Sequence, residues 1–416
     1  MAAIARVLAA EPGQVWLWLD GGVRVLAWPP ELAALPEPGT LLALPSPGDP
    51  QGIPSVVGQA MDPARFPHPD GDFHRMTEQG GLRTGAIRAR SVLLRAIRQF
   101  FDRRGFVEVD TPAIATSPGL ELHLDAVGVT LREGMGGAQT QRWLVTSPEY
   151  HCKRLLAAGL PKIYSLGKAF RSGERGSHHN PEFAMLEWYR TGEDYRAIVR
   201  DARALVRHCH KALRDLPGVA QRLAADPTSL DPAMPWQVWS VREAVRRCAG
   251  FDPGLGEDVA LVRRAALAAG LEVTPADATA DILVRALAER VEPALAHEHA
   301  VVIDRWPACM ASLARRFART PQLAERFEIY LRGVEVANGF SELVDAREQR
   351  ARFEADLALR HRLRRPIYPI DERFLAALAE GCPPAAGVAL GVDRLLMALG
   401  GYRDIDEVLA FPFERA

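Results

Sequence analysis

Apolar residues change their spacing along the chain. Over residues 1–60 they come in short β-prone runs, IARVLA, QVWLWLD and VRVLAW, split at Glu11-Pro12-Gly13 and Gly21-Gly22. Prolines then crowd in at Pro29, Pro30, Pro36, Pro38, Pro45, Pro47 and Pro50. The pattern predicts a small β module over 1–60, for which a barrel of OB type is one possible form, and a linker over 61–83. From residue 84 the spacing is that of a mixed α/β body. Leu93, Ile97, Phe100 and Phe101 predict an amphipathic helix that stops at Gly105. FVEVDTPAI predicts a strand ending at Pro112. Ile198, Ala202, Leu205, Val206, Cys209, Leu213 and Leu216 predict a helix over 195–216. Residues 217–300 are Ala-rich, which predicts a helical insertion over about 191–300. RFEIYLRGVEVANGF alternates, with Phe327, Ile329 and Leu331 on one face. GVALGVDRLLMALG reads as a glycine-bearing strand running into an apolar helix. There is no internal repeat.

Composition narrows the classes. The 416 residues carry 51 basic and 52 acidic side chains, which removes the generic charge argument for a nucleic-acid or membrane-surface binder. No window approaches 18 uncharged apolar residues, so no transmembrane helix is expected. MAAIARVLAAEPGQ reaches Glu11 before a signal-peptide core can develop. Five cysteines, Cys152, Cys209, Cys248, Cys309 and Cys382, are scattered without a CxxC. That spacing predicts a reduced, cytoplasmic protein. Only four of the basic residues are lysine, which reads as codon usage without functional content.

Three segments carry the chemistry: GFVEVDTPAI (105–114), FRSGERGSHHNPEFAMLEWYR (170–190) and GVALGVDR (387–394). Each alone is weak. In this order and spacing they resemble the three motifs of the class II aminoacyl-tRNA synthetases. TSPEYHCKRLL, HNPEFAMLEWYR, RFEIYLRGVEVANGFSELVDAREQ and GVALGVDRLLM resemble the lysyl branch, and within it the elongation factor P–lysine ligases, over roughly residues 84–416. The resemblance implies an α+β catalytic domain, an antiparallel sheet flanked by helices. It implies activation of (R)-β-lysine or lysine with ATP and Mg²⁺, transfer to a lysine side chain of elongation factor P, and a homodimer through the first motif. Aminoacylation of tRNA and a non-catalytic amino-acid sensor stay as alternatives. The sensor predicts erosion of Arg171, Glu335, Glu342 or Arg394, and all four are intact. Against tRNA, residues 1–80 hold four Arg, no Lys and nine acids, a poor phosphate-binding surface. Trp16, Trp18 and Trp28 are therefore expected in core or protein contacts instead of base stacking.

Adenylation needs no protein nucleophile, because the substrate carboxylate attacks the α-phosphorus. The protein must position two anions and neutralise developing charge. Arg171 is the natural α-phosphate ligand, its guanidinium offering a planar fork that stays charged. Phe183 would stack on adenine, with Arg394 over the opposite face or on the γ-phosphate. By resemblance the nucleotide set also holds Ser172, Gly173, Glu174, His179, Asn180, Glu335, Val336 and Gly391. Lysyl synthetases usually show Arg-x-Glu here, whereas this chain has Arg171-Ser172-Gly173-Glu174. Glu335 and Glu342 would hold Mg²⁺. The amino-acid set is Ser147, Glu149, Tyr189, Asn338, Glu342 and Ala389, and Glu187 stays open between pocket and structural ion pair. Ala389 stands where synthetases often have the middle glycine of Gly-x-Gly-x-Gly. Gly387 and Gly391 would let the backbone approach a ligand or form a bulge. His178-His179 is not expected to bind metal, since neighbours on a strand point to opposite faces. His208 and His210 likewise flank Cys209, expected as a buried structural thiol.

Overall fold

The computed structural model describes residues 3–30, 32, 34–46, 53–60, 62–132, 134–226 and 230–416. The chain divides into two compact units, residues 1–91 with 216–221, and residues 92–215 with 222–416.

In the first unit five antiparallel strands, β1 (Ala3–Glu11), β2 (Gln14–Leu19), β3 (Gly22–Ala27), β4 (Leu41–Leu44) and β5 (Ser55–Gly58), form a sheet of order β3-β2-β1-β4-β5. Period-two alternation puts Ala5, Val7, Val15 and Leu17 on one face, where they pack with Leu42 and Trp28. The helix α1 (Asp72–Asp102) starts well inside the segment expected as linker. Gly81 lies at φ +85°, and a Cβ there would stand 2.4 Å from the Trp18 ring. The glycine thus lets the helix lie against Trp18, whose ring meets Phe73 edge-on.

The second unit continues with the end of α1, whose Leu93, Ile97, Phe100 and Phe101 are fully buried. FVEVDTPAI does not form one strand. It gives β6 (Val107–Glu108) and β7 (Ile114–Ala115), with Pro112 in the irregular stretch between. β7 joins β8 (Gly128–Arg132) and β9 (Gln139–Leu144) in a small sheet. Then follow α2 (Glu149–Ala157), β10 (Lys162–Phe170), β11 (Glu182–Thr191), α3 (Tyr195–Leu213) and α4 (Pro217–Ala225), of which residues 217–221 count with the first unit. Next come β12 (Gln237–Ser240), α5 (Val241–Ala244), α6 (Val259–Ala268), α7 (Thr279–Ala286), α8 (Glu292–Leu295) and β13 (Ala300–Pro307). The chain ends with β14 (Arg316–Phe317), β15 (Thr320–Leu331), β16 (Val334–Ser341), α9 (Ala346–Arg362), α10 (Glu372–Gly381), β17 (Ala385–Gly391) and α11 (Val392–Gly400).

One large sheet of order β12-β13-β15-β16-β17-β11-β10-β6 organises this unit, with β14 attached to β15. Its central pairs are antiparallel, and only the pairs β12/β13 and β10/β6 near its edges are parallel. The insertion is not purely helical and does not start at 191. Asp194 caps α3, whose stripe of Ile198, Ala202, Leu205, Val206, Cys209 and Leu213 is buried behind the central strands. The insertion proper contributes β12 to the sheet and has its own core around Val245, Val262, Ile282, Leu283 and Trp306.

Candidate active site

Partners facing each other across antiparallel strands share a face. Register places Glu187 of β11, Ala389 of β17, Asn338 of β16 and Glu328 of β15 in one row. Two residues along, Tyr189, Gly387, Phe340 and Arg326 form the neighbouring row. These rows floor a cleft of about 300 Å³. Fifteen of the seventeen residues expected at the site line it. The exceptions are Ser172, whose amide donates to the Asp125 carbonyl at 2.7 Å, and Gly173, at φ +80°. That left-handed turn brings Glu174 back to Arg171, Oε1 to Nη1 at 3.8 Å. The displaced motif acid therefore still reaches the cleft.

At one end lie Arg171, Phe183, His179, Glu335 and Arg394. The Arg171 guanidinium sits over Phe183, 5.1 Å from the ring centroid. Arg394 donates to the carbonyls of His178 (3.1 Å) and Glu335 (2.9 Å), and its Nη1 is 3.3 Å from the Glu335 carboxylate. His178 and His179 both line the cleft, because residues 176–179 form a turn instead of a strand. Burial and then the Arg394 charge push both imidazoles below their usual pKa. Among the described residues no group of three or more His, Cys, Asp or Glu could hold a metal. Asn180 is spent structurally. Its amide donates to the Glu182 carbonyl at 2.7 Å and its oxygen accepts from Phe413 N at 3.2 Å. The same loop is strapped by Arg175 to Glu414 (2.6 Å) and Asp406 (2.9 Å), and Ile405 N donates to Ser177 O at 2.8 Å.

At the other end Glu187 is fully buried, without an ion pair among the described residues. Ser147 donates to it at 2.5 Å and Tyr189 at 2.7 Å. Burial, reinforced by Glu149, pushes its carboxyl up to about 8. Gly387 makes room for that tyrosine, since a Cβ there would lie 2.2 Å from the Tyr189 ring. Asn338 Oδ1 is buried with no hydrogen-bond partner among the described residues, an acceptor facing the cleft. Lys153 was not foreseen. Its Nζ lies 2.6 Å from Glu149 and 2.6 Å from Glu342, with the side chain 1% exposed. Burial pulls its pKa down, but the two carboxylates outweigh burial and hold it above the usual lysine value. Burial pushes Glu342 up to about 7 even against the pull of Lys153. The signal for Lys153 was its place on the inward stripe of α2, with Glu149, Cys152 and Leu156.

Glu335 and Glu342 both line the cleft, and Lys153 occupies Glu342. Glu335, beside Arg394 and part-exposed to the cleft, keeps a fit to a Mg²⁺ that takes one carboxylate plus phosphate oxygens.

A cleft with cations at one end and buried acids at the other, floored by antiparallel strands, is what an amino-acid-activating fold would present. A family model of class II tRNA synthetases (D, K and N) matches residues 82–415. The chain belongs to that family. A relative from Vibrio cholerae serotype O1, named elongation factor P–(R)-β-lysine ligase, is 39% identical over 347 residues, covering 82% of this chain and 100% of the relative. Relatives with the same name from Edwardsiella ictaluri (41% identical, 79% of this chain, 94% of theirs) and Hamiltonella defensa (39%, 79% and 94%) agree. Within the synthetase family the chain therefore groups with ligases, and its α+β fold class is that of the family. Among the described residues no helix is long and apolar enough to cross a membrane.

Proposed function

We propose that this chain activates (R)-β-lysine, or lysine, with ATP and joins it to a lysine side chain of elongation factor P. The observation that carries the reading is the buried Glu187, hydrogen-bonded by Ser147 and Tyr189 and ending the same cleft that opens at Arg171. A desolvated carboxylate is what a substrate ammonium needs, since a buried charge without a partner is prohibitive. The names of the relatives support the same acceptor.

In this reading the amino acid lies along the floor, its terminal ammonium on Glu187 and its other amine toward Glu149 and the free Asn338 oxygen. Its carboxylate then faces Arg171, which neutralises the α-phosphate as the carboxylate oxygen attacks phosphorus and pyrophosphate leaves. Phe183 packs on adenine once Arg171 turns from the ring to phosphate, and Arg394 serves the distal phosphates. Mg²⁺, when bound, would neutralise phosphate charge, with Glu335 as its protein carboxylate. Lys153 holds Glu149 and Glu342 in place. The first unit, with the strand order of a five-stranded OB barrel opened between β3 and β5, is read as a protein-contact module on account of its acidity. A cytoplasmic homodimer completes the proposal. Exposed Val107 and Ile114, at the first motif, favour such an interface.

The test is mass spectrometry after incubation with ATP, Mg²⁺, the amino acid, and elongation factor P or total tRNA. The expected result is mass gain on elongation factor P. Stoichiometric charging of tRNA at low salt with no protein labelling would overturn it in favour of a synthetase.

A further inference from the structure

The cleft holds more acids than one amino acid can use, and nearly all have partners. Glu149 and Glu342 share Lys153, and Glu187 holds two hydroxyls. Glu328 takes Arg326 and Tyr330. Glu335 and Glu174 face Arg394 and Arg171, and Asp393 accepts from Ala184 N at 2.8 Å. Glu121 is different. It lines the cleft, and among the described residues its carboxyl makes no hydrogen bond or ion pair.

The segment that carries Glu121 is irregular, yet it is pinned at several points. The fully buried Arg360 donates to the carbonyls of Glu121 (2.7 Å), Leu122 (3.1 Å) and Leu124 (2.9 Å) and to the Asp125 carboxylate (2.7 Å). Leu120 N donates to Tyr150 Oη at 2.7 Å and Ala126 N to Tyr368 Oη at 2.8 Å. A loop held this firmly aims its one unpartnered acid. At one end of the segment Thr146, next to Ser147, donates to the Pro118 carbonyl from N (3.1 Å) and Oγ1 (2.9 Å), and at the other Ser172, next to Arg171, donates to the Asp125 carbonyl at 2.7 Å. Glu121 therefore lines the cleft on the stretch that joins the amino-acid end to the arginine of the α-phosphate, where the acyl carbon of an adenylate would sit.

We propose that Glu121 is the catalytic base of the transfer step, receiving a proton from the ammonium of the acceptor lysine. The inference rests on the function proposed above. An acceptor lysine enters as ammonium, and at pH 7 only about one in 10³ is free amine. Glu121 takes one proton. The amine nitrogen then bonds to the acyl carbon, the bond from that carbon to the phosphate oxygen breaks, and AMP leaves with the electron pair. The nitrogen sheds its second excess proton to water, and Glu121 later does the same. Burial, ahead of the opposing pull of Arg171, pushes the Glu121 carboxyl above its usual pKa, toward the working range of a base.

The test compares wild type, Glu121→Gln and Glu121→Asp in three assays. These are amino-acid-dependent pyrophosphate exchange, trapping of the adenylate by hydroxylamine, which is uncharged at pH 7, and transfer to elongation factor P. For Glu121→Gln the expected result is exchange and trapping within about threefold of wild type and transfer lowered about 10²-fold or more. That transfer should recover about tenfold per pH unit toward pH 9.5 as free amine accumulates, and Glu121→Asp should restore part of it at pH 7. A rise in amino-acid KM with exchange and trapping lost would make Glu121 a substrate or structural residue and overturn the proposal. So would undiminished transfer by Glu121→Gln. Exchange without any transfer by the wild type would instead sink the acceptor assignment itself.

Discussion

Replacing Lys153 with methionine would remove the cation between Glu149 and Glu342 while keeping an unbranched side chain of similar bulk. Nζ stands 2.6 Å from each carboxylate, and Lys153 and Glu342 are only 1–2% exposed. Removing one member of a buried pair costs about 3–5 kcal/mol, because the charge left behind stays desolvated. Here two like charges remain, and the escape open to them is to take up a proton. With Lys153 present, burial already pushes Glu342 up to about 7; without it the carboxyl must rise further. A carboxyl with a folded pKa above its unfolded value, about 4.3, binds more protons folded than unfolded. Its cost is therefore absent below the unfolded pKa and grows as pH rises through the folded one. The variant should be about 3–5 kcal/mol less stable than wild type at pH 8 and much less so at pH 5.5, where Glu342 is protonated in both. Urea unfolding followed by tryptophan fluorescence reads this, with Trp188 fully buried in the strand that carries Glu187. An equal deficit at both pH values, or less than about 1 kcal/mol at pH 8, would refute the reasoning.

Three further outcomes are expected. Arg171→Ala and Arg394→Ala should each lower pyrophosphate exchange by about 10²–10³; rates within a few-fold of wild type in both would remove the nucleotide from this end of the cleft. Glu335→Gln should move the Mg²⁺ midpoint of exchange upward while Glu342→Gln leaves it in place and raises the amino-acid KM, and a shift from Glu342→Gln alone would reverse the metal assignment. Ala389 stands in the row between Glu187 and Asn338, so Ala389→Gly should shift preference from (R)-β-lysine toward α-lysine by the 1–3 kcal/mol, about 10–200-fold, of a methyl-scale fit; unchanged ratios of kcat/KM would count against it.

Residues such as Arg171, Phe183 and Arg394 were legible because each sits in a local run whose neighbours identify it. The strand alternation Phe327, Ile329, Leu331 also carried information left unused. Of its opposite face, Arg326 and Glu328 point into the cleft and Tyr330 packs in the core of the insertion. Lys153 was not legible. A Glu149–Lys153 pair at helical spacing usually marks a solvated ion pair, and the partner that gives it meaning, Glu342, arrives from the end of β16. The 61–83 segment differs for a related reason: it was expected as a linker after the crowded prolines, whereas α1 starts at Asp72, where Phe73 meets the ring of the distant Trp18. His178-His179 shows the converse, since the two-residue argument was sound for a strand and the segment is a turn.

Arg175, Ser177 and Asn180 fasten the loop of residues 172–180 to residues 405–414. The chain's final segment is thereby a lever on the nucleotide end of the cleft. A loop that shifts on binding ATP must either drag residues 405–414 along or let go of them. Protease cleavage within residues 405–414 would then report nucleotide occupancy without any label.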